Sequence, residues 1–145
     1  MISKNIFTFL NALKNSNERQ WFKENISTFR TAESEVKLFY SQLYDQLNQL
    51  DSIDNFKVFR IYRDIRFSKN KTPYKTHFSG SFHRTKPELR GGYYLHLAAN
   101  NESFIATGFW NPNKEDLIRL RKEFEIDSED LRAIIAEPRF KAIWG

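Results

Sequence analysis

The feature that most constrains this chain is an alternation of apolar and polar side chains in its middle, within the stretch from Phe56 to Phe82. One parity carries mostly apolar side chains, namely Phe59, Ile61, Ile65 and Phe67, with Arg63 among them. The other parity is polar and consists of Arg60, Tyr62, Asp64 and Arg66. Successive side chains of a strand point to opposite faces, whereas a helix would put Arg63 inside its apolar stripe. The stretch therefore predicts a strand with an apolar face toward the core.

The same part of the chain is strongly basic. Residues 56–90 contain ten Lys and Arg side chains against two acids, a balance of +8, whereas the whole chain carries +5. Residues 68–71 are typical of a turn, and Thr72 before Pro73 favours an extended backbone. Lys69, Lys71 and Lys75 would then project beside the arginine face. A local charge excess of this kind indicates where a ligand docks and says little about the fold.

The length and composition narrow the class of protein. A chain of 145 residues predicts one domain, residues 1–145, and 16% aromatic side chains are ample for a core. The absence of cysteine excludes disulfides and thiolate chemistry. No apolar run approaches the roughly 20 residues that span a bilayer, and the start of the chain lacks a signal-peptide core. We therefore expect a cytoplasmic protein with no membrane partner; the oligomeric state stays open.

The periodicity along the chain predicts helices at both ends. Ser3 is a candidate cap for a short helix whose apolar face is Ile6, Phe9, Leu10 and Leu13. Asn17 with Gln20 has the spacing of a capping box. The apolar spacing after it predicts one long helix, straight or kinked, that ends near residues 51–52. Asn113 is expected to cap a later helix, and Asp127 or Ser128 another that Pro138 closes.

The segments between these helices predict strands. Residues 76–83, 93–97 and 103–110 alternate and are joined by short connections, which favours an antiparallel meander. Together with the central stretch this gives about four strands. The fold class is therefore α+β, an antiparallel sheet packed against N-terminal and C-terminal helices.

The basic stretch is the candidate binding site. Arginine matches phosphate and carboxylate oxygens with a planar fork, and lysine adds a mobile point charge. The predicted anion-binding residues are Arg60, Arg63, Arg66, Lys69, Lys71 and Lys75. Asp64 is expected to orient the arginines. Tyr62 and Tyr74 are expected to stack on the ligand or to contact it through their hydroxyl groups, and His77 is expected to lie beside the anion-binding residues. The partner would be a nucleic acid or a phosphorylated small molecule.

Two alternatives remain open for the same residues. In the first, the protein is an enzyme that acts on a phosphate- or carboxylate-containing substrate, with Asp64, His77 or Tyr74 in acid–base work. In the second, Arg60, Arg63 and Asp64 form a buried salt-bridge network with no ligand. No catalytic residue can be assigned from the sequence.

Other common sites are not indicated. His77 and His83 would lie about 20 Å apart on one strand, which is too far for one metal ion, so no metal and no cofactor is predicted. Residues 68–72 end in Lys-Thr but lack the glycines of a phosphate-binding loop. The Gly91-Gly92 pair is too short for a dinucleotide fingerprint.

The motif from Phe59 to Phe78, FRIYRDIRFSKNKTPYKTHF, closely resembles the hallmark of an uncharacterised bacterial and fungal family, domain of unknown function 2461. The flanks are also similar, including Trp21-Phe22 and residues 92–96, and the resemblance covers essentially the whole chain. It implies no activity, since the family is one of conserved hypothetical proteins. Members of the family are usually longer, so the resemblance implies that C-terminal residues are missing here.

Overall fold

A computed structural model describes residues 2–145 and contains both helices and a sheet. The helices are α1 (Lys4–Asn15), α2 (Arg19–Glu24), α3 (Ile26–Leu47), α4 (Lys114–Ile126), α5 (Glu129–Ala136) and α6 (Pro138–Trp144). The strands are β1 (Ile53–Val58), β2 (His77–Arg84), β3 (Gly92–Ala98) and β4 (Phe104–Gly108). They form one antiparallel meander in the order β1-β2-β3-β4, which confirms the α+β prediction.

The chain divides into two compact units, Met1–Phe109 and Trp110–Gly145. The first contains α1 to α3 and the whole sheet, and the second contains α4 to α6. The prediction of a single domain over residues 1–145 stays a prediction.

The helices of the first unit bury their apolar faces as their periodicity predicts. All four predicted apolar residues of α1 are buried, as are Phe22 of α2 and Phe29 and Val36 of α3. The long helix is broken at Asn25, whose side-chain amide donates to the Trp21 carbonyl at 2.9 Å. The predicted cap at Asn17 is wrong, because the residue before α2 is Glu18 and Asn17 bonds elsewhere.

One face of the sheet packs on α3. The Tyr40 ring stacks on Phe82 with centroids 5.5 Å apart, and its hydroxyl donates to the Leu95 carbonyl at 2.8 Å. Gly80 lies directly beneath Tyr40, where a Cβ atom would come within 2.5 Å of the ring. These contacts place the even-numbered residues of β2 toward the helices and leave the odd-numbered residues on the opposite face.

The prediction of a strand over residues 59–67 is wrong. The first strand of the sheet lies earlier, at β1, and residues 59–76, here called the basic loop, connect it to β2. The loop contains a single bridge, between Tyr62 and Tyr74. Ile61 is buried as predicted, but the Phe67 side chain is 96% exposed.

The physical reason for this difference lies in the polar side chains of the loop. Asp64 accepts from the Arg66 amide at 3.2 Å, and Asn70 accepts from the Thr72 amide at 2.9 Å. Such local side-chain to backbone bonds compete with a strand ladder. Pro73 also lacks the amide that a ladder would need.

The second unit begins with a well-capped helix. Asn113 accepts from the Asp116 amide at 2.8 Å, and the Asp116 side chain accepts from the Asn113 amide, which confirms the predicted cap of α4. Ser128 precedes α5 without a side-chain cap, whereas the Asp127 carboxylate accepts from the Glu129 amide. Pro138 follows the end of α5 and occupies the first turn of α6.

Candidate anion-binding site

The basic loop is anchored on the aromatic core of the first unit. Tyr74 is only 7% exposed, and its ring stacks on Phe22 with centroids 3.9 Å apart. Asn17 holds the same residue by two bonds: its amide donates to the Tyr74 carbonyl at 3.0 Å, and its carbonyl oxygen accepts from the Tyr74 amide at 3.1 Å. Tyr62 meets the edge of Phe22 at 5.7 Å. Tyr74 is therefore primarily an anchor of the loop.

Two of the predicted cations are engaged by the loop itself. The Arg63 guanidinium donates to the carbonyl and hydroxyl of Thr72 and to the Ser68 hydroxyl. The Lys71 ammonium donates to the Ile65 carbonyl at 3.0 Å. Both side chains thus hold the loop backbone in place, and no local sequence pattern indicates these partners.

A third cation, Arg66, is paired with Asp64. Its Nε and one terminal nitrogen contact the two carboxylate oxygens at 3.0 Å and 2.6 Å. The hydrogen bonds from Arg66 hold the pKa of the Asp64 carboxyl below its usual range. Asp64 therefore neutralises Arg66 in particular; it does not sit between Arg60 and Arg66, as a strand would have placed it. This pair is exposed to solvent.

Arg60, Lys69 and Lys75 are the remaining cations. Within residues 2–145, the side chains of Arg60 and Lys69 form no hydrogen bond or ion pair, although Arg60 contributes to lowering the pKa of Asp64. The Lys75 ammonium lies over the Phe59 ring, 5.7 Å from its centroid. Burial, and secondarily the charge of Arg60, lowers the pKa of Lys75. The charges of Arg60 and Lys75 thus interact unfavourably with each other.

His77 joins these cations to the sheet. It is the first residue of β2, and its ring lies 4.0 Å from that of His96 on β3. Burial lowers the pKa of His77 to about 4, with smaller contributions from His96 and Lys75. Burial also lowers the pKa of His96. Both imidazoles are therefore neutral near pH 7.

The two histidines belong to what we call the outer sheet face, the face opposite the helices, which includes His77, Ser81, His83, Tyr94, His96 and Phe104. His96 lies directly opposite Phe104 in the register, and their rings stack with centroids 4.6 Å apart. The Tyr94 hydroxyl and His96 Nδ1 are 3.1 Å apart, and the Ser81 hydroxyl and His83 Nε2 are 2.9 Å apart.

His96 is not found by comparing histidines along one strand, because it lies on the neighbouring strand β3. The signal was present: His96 alternates with Leu95 and Leu97, which places it on the face away from the core. Pairing β2 with β3 then brings it next to His77. Of the predicted residues, the structure brings Arg60, Lys75 and His77 into electrostatic contact, and Lys69 lies in the exposed turn.

The surroundings of the histidine pair suit an anion better than a metal ion. The two rings are in contact at a tilt of 31°, and Lys75 adds positive charge beside them. In the part of the chain that the structure describes, no three His, Asp or Glu side chains come together as a metal site.

A groove of about 500 Å³ lies elsewhere, among α1, α2 and α3, lined by residues that include Phe9, Trp21, Thr28 and Glu35. Its lining residues include no lysine or arginine. The Glu35 carboxylate already accepts bonds from the amide and hydroxyl of Ser3. The groove therefore lacks the positive charge that an anion needs.

Comparison with known proteins gave one match. A family model described as "Conserved hypothetical protein (DUF2461)" matches residues 5–145. No curated protein and no solved structure matches the chain. Among the described residues, none of the helices is both long enough and apolar enough to cross a bilayer.

Proposed function

Because this chain belongs to the family of conserved hypothetical proteins DUF2461, whose description names no activity, we propose a function from the site itself: binding of a phosphate-bearing ligand through Arg60 and Lys75. His77 would contribute from the start of β2. Arg63 and Lys71 would hold the basic loop in shape and so position Arg60 and Lys75, without contacting the ligand themselves.

The observation that supports the proposal is that the six predicted cations differ in their hydrogen-bond and ion-pair partners. Arg63, Lys71 and Arg66 have partners inside the loop, whereas among the described residues the side chains of Arg60 and Lys75 form no hydrogen bond or ion pair, and their like charges interact. Two adjacent cations repel each other, and a phosphate would supply the missing counter-charge. Charge-assisted hydrogen bonds from Arg and Lys to phosphate are among the strong ones in proteins.

The neutral state of His77 also supports a phosphate. With a pKa of about 4, its imidazole carries one N–H donor and one acceptor near pH 7. Such a donor can bond a phosphate oxygen without adding a third positive charge beside Arg60 and Lys75.

The direct test is a calorimetric titration of the full chain with inorganic pyrophosphate at low salt. Replacing both cations, Arg60→Ala with Lys75→Ala, should weaken binding by about a hundredfold, since each charge-assisted bond contributes at least about 1.5 kcal/mol. The matched control, Lys4→Ala with Lys23→Ala, removes the same charge from exposed helix positions and should bind nearly as the unmodified protein does. Equal binding by the two double variants would refute the proposal.

The two alternatives receive different support from the site. The enzyme alternative assigns acid–base roles to Asp64, Tyr74 and His77. Asp64 is paired with Arg66, and Tyr74 is buried and anchors the loop. His77 is the one of these three whose pKa is affected by the charge of Lys75. A structural role suits Arg63, whose bonds close the loop, but its acceptors are neutral. We therefore assign Arg63 to the architecture of the loop and Arg60 with Lys75 to the ligand.

A further inference from the structure

A ladder of flat side chains crosses the outer sheet face beside Lys75. His77 on β2 lies against His96 on β3, and His96 stacks on Phe104 of β4 with ring planes 15° apart. The Tyr94 ring lies 5.7 Å from the Phe104 ring and supports it from the same side of the sheet. Three strands thus present three rings in contact, with His77 tilted against His96 and His96 stacked on Phe104.

The far end of this ladder is open. Phe104 is 49% exposed although it is a large aromatic residue, and it lies on the last strand in the sheet order. The contacts with His96 and Tyr94 orient the exposed Phe104 ring. Nucleic-acid bases stack on aromatic side chains of this kind, and each stacked base contributes about 1–3 kcal/mol.

The near end of the ladder is cationic. Lys75 precedes His77 by two residues, and from β2 to β4 the ladder spans two strand spacings, about 10 Å. Lys57 of β1 lies opposite Ser81 in the register and adds an exposed charge on the same face. The wider segment of residues 56–90 carries +8. Charge spread over an open surface suits several phosphates in sequence better than a single phosphate group.

We propose that the outer sheet face binds single-stranded nucleic acid, with one base stacked on Phe104 and the adjoining phosphates at Arg60 and Lys75. This inference rests on the proposed function and specifies its ligand. An antiparallel sheet with helices on one face and aromatic side chains on the other is also how one common class of domains stacks the bases of single-stranded RNA.

The test is a fluorescence-anisotropy titration of the full chain with labelled single-stranded RNA and DNA oligonucleotides. Phe104→Ala should weaken binding about tenfold, while pyrophosphate binding stays unchanged. The matched control is Phe124→Ala on α4, since Phe124 is 50% exposed, almost the same as Phe104, but lies in the second unit. Phe104→Trp retains a stacking surface and should bind at least as well as the unmodified protein, which separates stacking from any effect on folding.

Several outcomes would overturn this inference and leave the proposed function standing. One is unchanged oligonucleotide binding by Phe104→Ala; another is equal binding of an abasic oligonucleotide. The inference would also be contradicted if a duplex of the same length bound as tightly as the single strand. It would likewise be contradicted if a mononucleotide competed as well as the oligonucleotide. If instead pyrophosphate binds equally with and without Arg60 and Lys75, the proposed function itself is refuted.

Discussion

The two bonds from Asn17 to the backbone of Tyr74 make a sharp prediction about stability. Asn17→Ala removes both bonds and leaves the Tyr74 amide and carbonyl without these partners in a partly buried place. Each bond contributes about 1 kcal/mol, and an unsatisfied group adds a further desolvation cost. Water can reach part of this site, so we expect the free energy of unfolding to fall by about 2–3 kcal/mol.

This loss is measurable by urea denaturation and by thermal unfolding. For a chain of this size, each kcal/mol lowers the melting temperature by about 2–4 °C, so the melting temperature should fall by about 4–12 °C. The Tyr74 amide should also exchange its hydrogen faster, because opening of the loop would no longer break this bond.

Asn15→Ala is the matched control for this variant. Asn15 is exposed at the end of α1, so its replacement should change the free energy of unfolding by at most about 0.5 kcal/mol. A change equally small for Asn17→Ala would refute the reasoning, because it would mean that the loop is held by the Tyr74–Phe22 stack alone.

Two further predictions concern the sheet. Gly80→Ala should lower the free energy of unfolding by about 1–3 kcal/mol or more in urea denaturation, because the added Cβ would lie 2.5 Å from the Tyr40 ring and 2.6 Å from the Lys57 carbonyl oxygen; stability equal to the unmodified protein would contradict this packing. The pKa of His77 is lowered to about 4 in the folded state, so His77 binds protons more weakly there than in the unfolded chain. The free energy of unfolding should therefore decrease as the pH falls from about 6.5 to 4. The contribution of this residue is at most about 1.4 kcal/mol per pH unit. His77→Gln should flatten that part of the stability profile, and an unchanged slope in this variant would show that the imidazole is not desolvated.

Local patterns predicted the elements whose contacts follow from their own periodicity. Ile6, Phe9, Leu10 and Leu13 recur at helical spacing, and α1 buries all four. The alternation of residues 76–83 and 93–97 likewise predicted two strands, and the structure confirms them as the antiparallel pair β2 and β3. Asn113 was identified as a cap because the bond from the Asp116 amide spans only three residues.

The errors arose where a distant or polar contact prevails over the local pattern. The alternation through Phe59 and Phe67 predicts a strand, but Asp64, Asn70 and Lys71 satisfy the backbone of the basic loop themselves. Asn17 has the spacing of a capping residue, yet it bonds to Tyr74, far along the chain. No helical or strand period contains information about such partners.

The candidate site was predicted only in part for the same reason. The excess of positive charge is visible in the sequence, but which cations are engaged by the loop depends on its three-dimensional path. Arg63 and Arg60 are the same residue type three positions apart, and only the structure shows that Arg63 closes the loop whereas the Arg60 side chain forms no hydrogen bond or ion pair within residues 2–145.

The order of the strands also bears on how quickly this fold can form. Each strand pairs with the next along the chain, so the β2–β3 and β3–β4 hairpins require only short loop closures, which carry a small entropic cost. The β1–β2 pair must close the eighteen residues of the basic loop, and the Asn17–Tyr74 clamp joins positions 57 residues apart. We therefore expect the two hairpins to form first and the basic loop to settle late. Local opening of this loop would not require the sheet to unfold, and the two Asn17–Tyr74 bonds are contacts that such an opening must break.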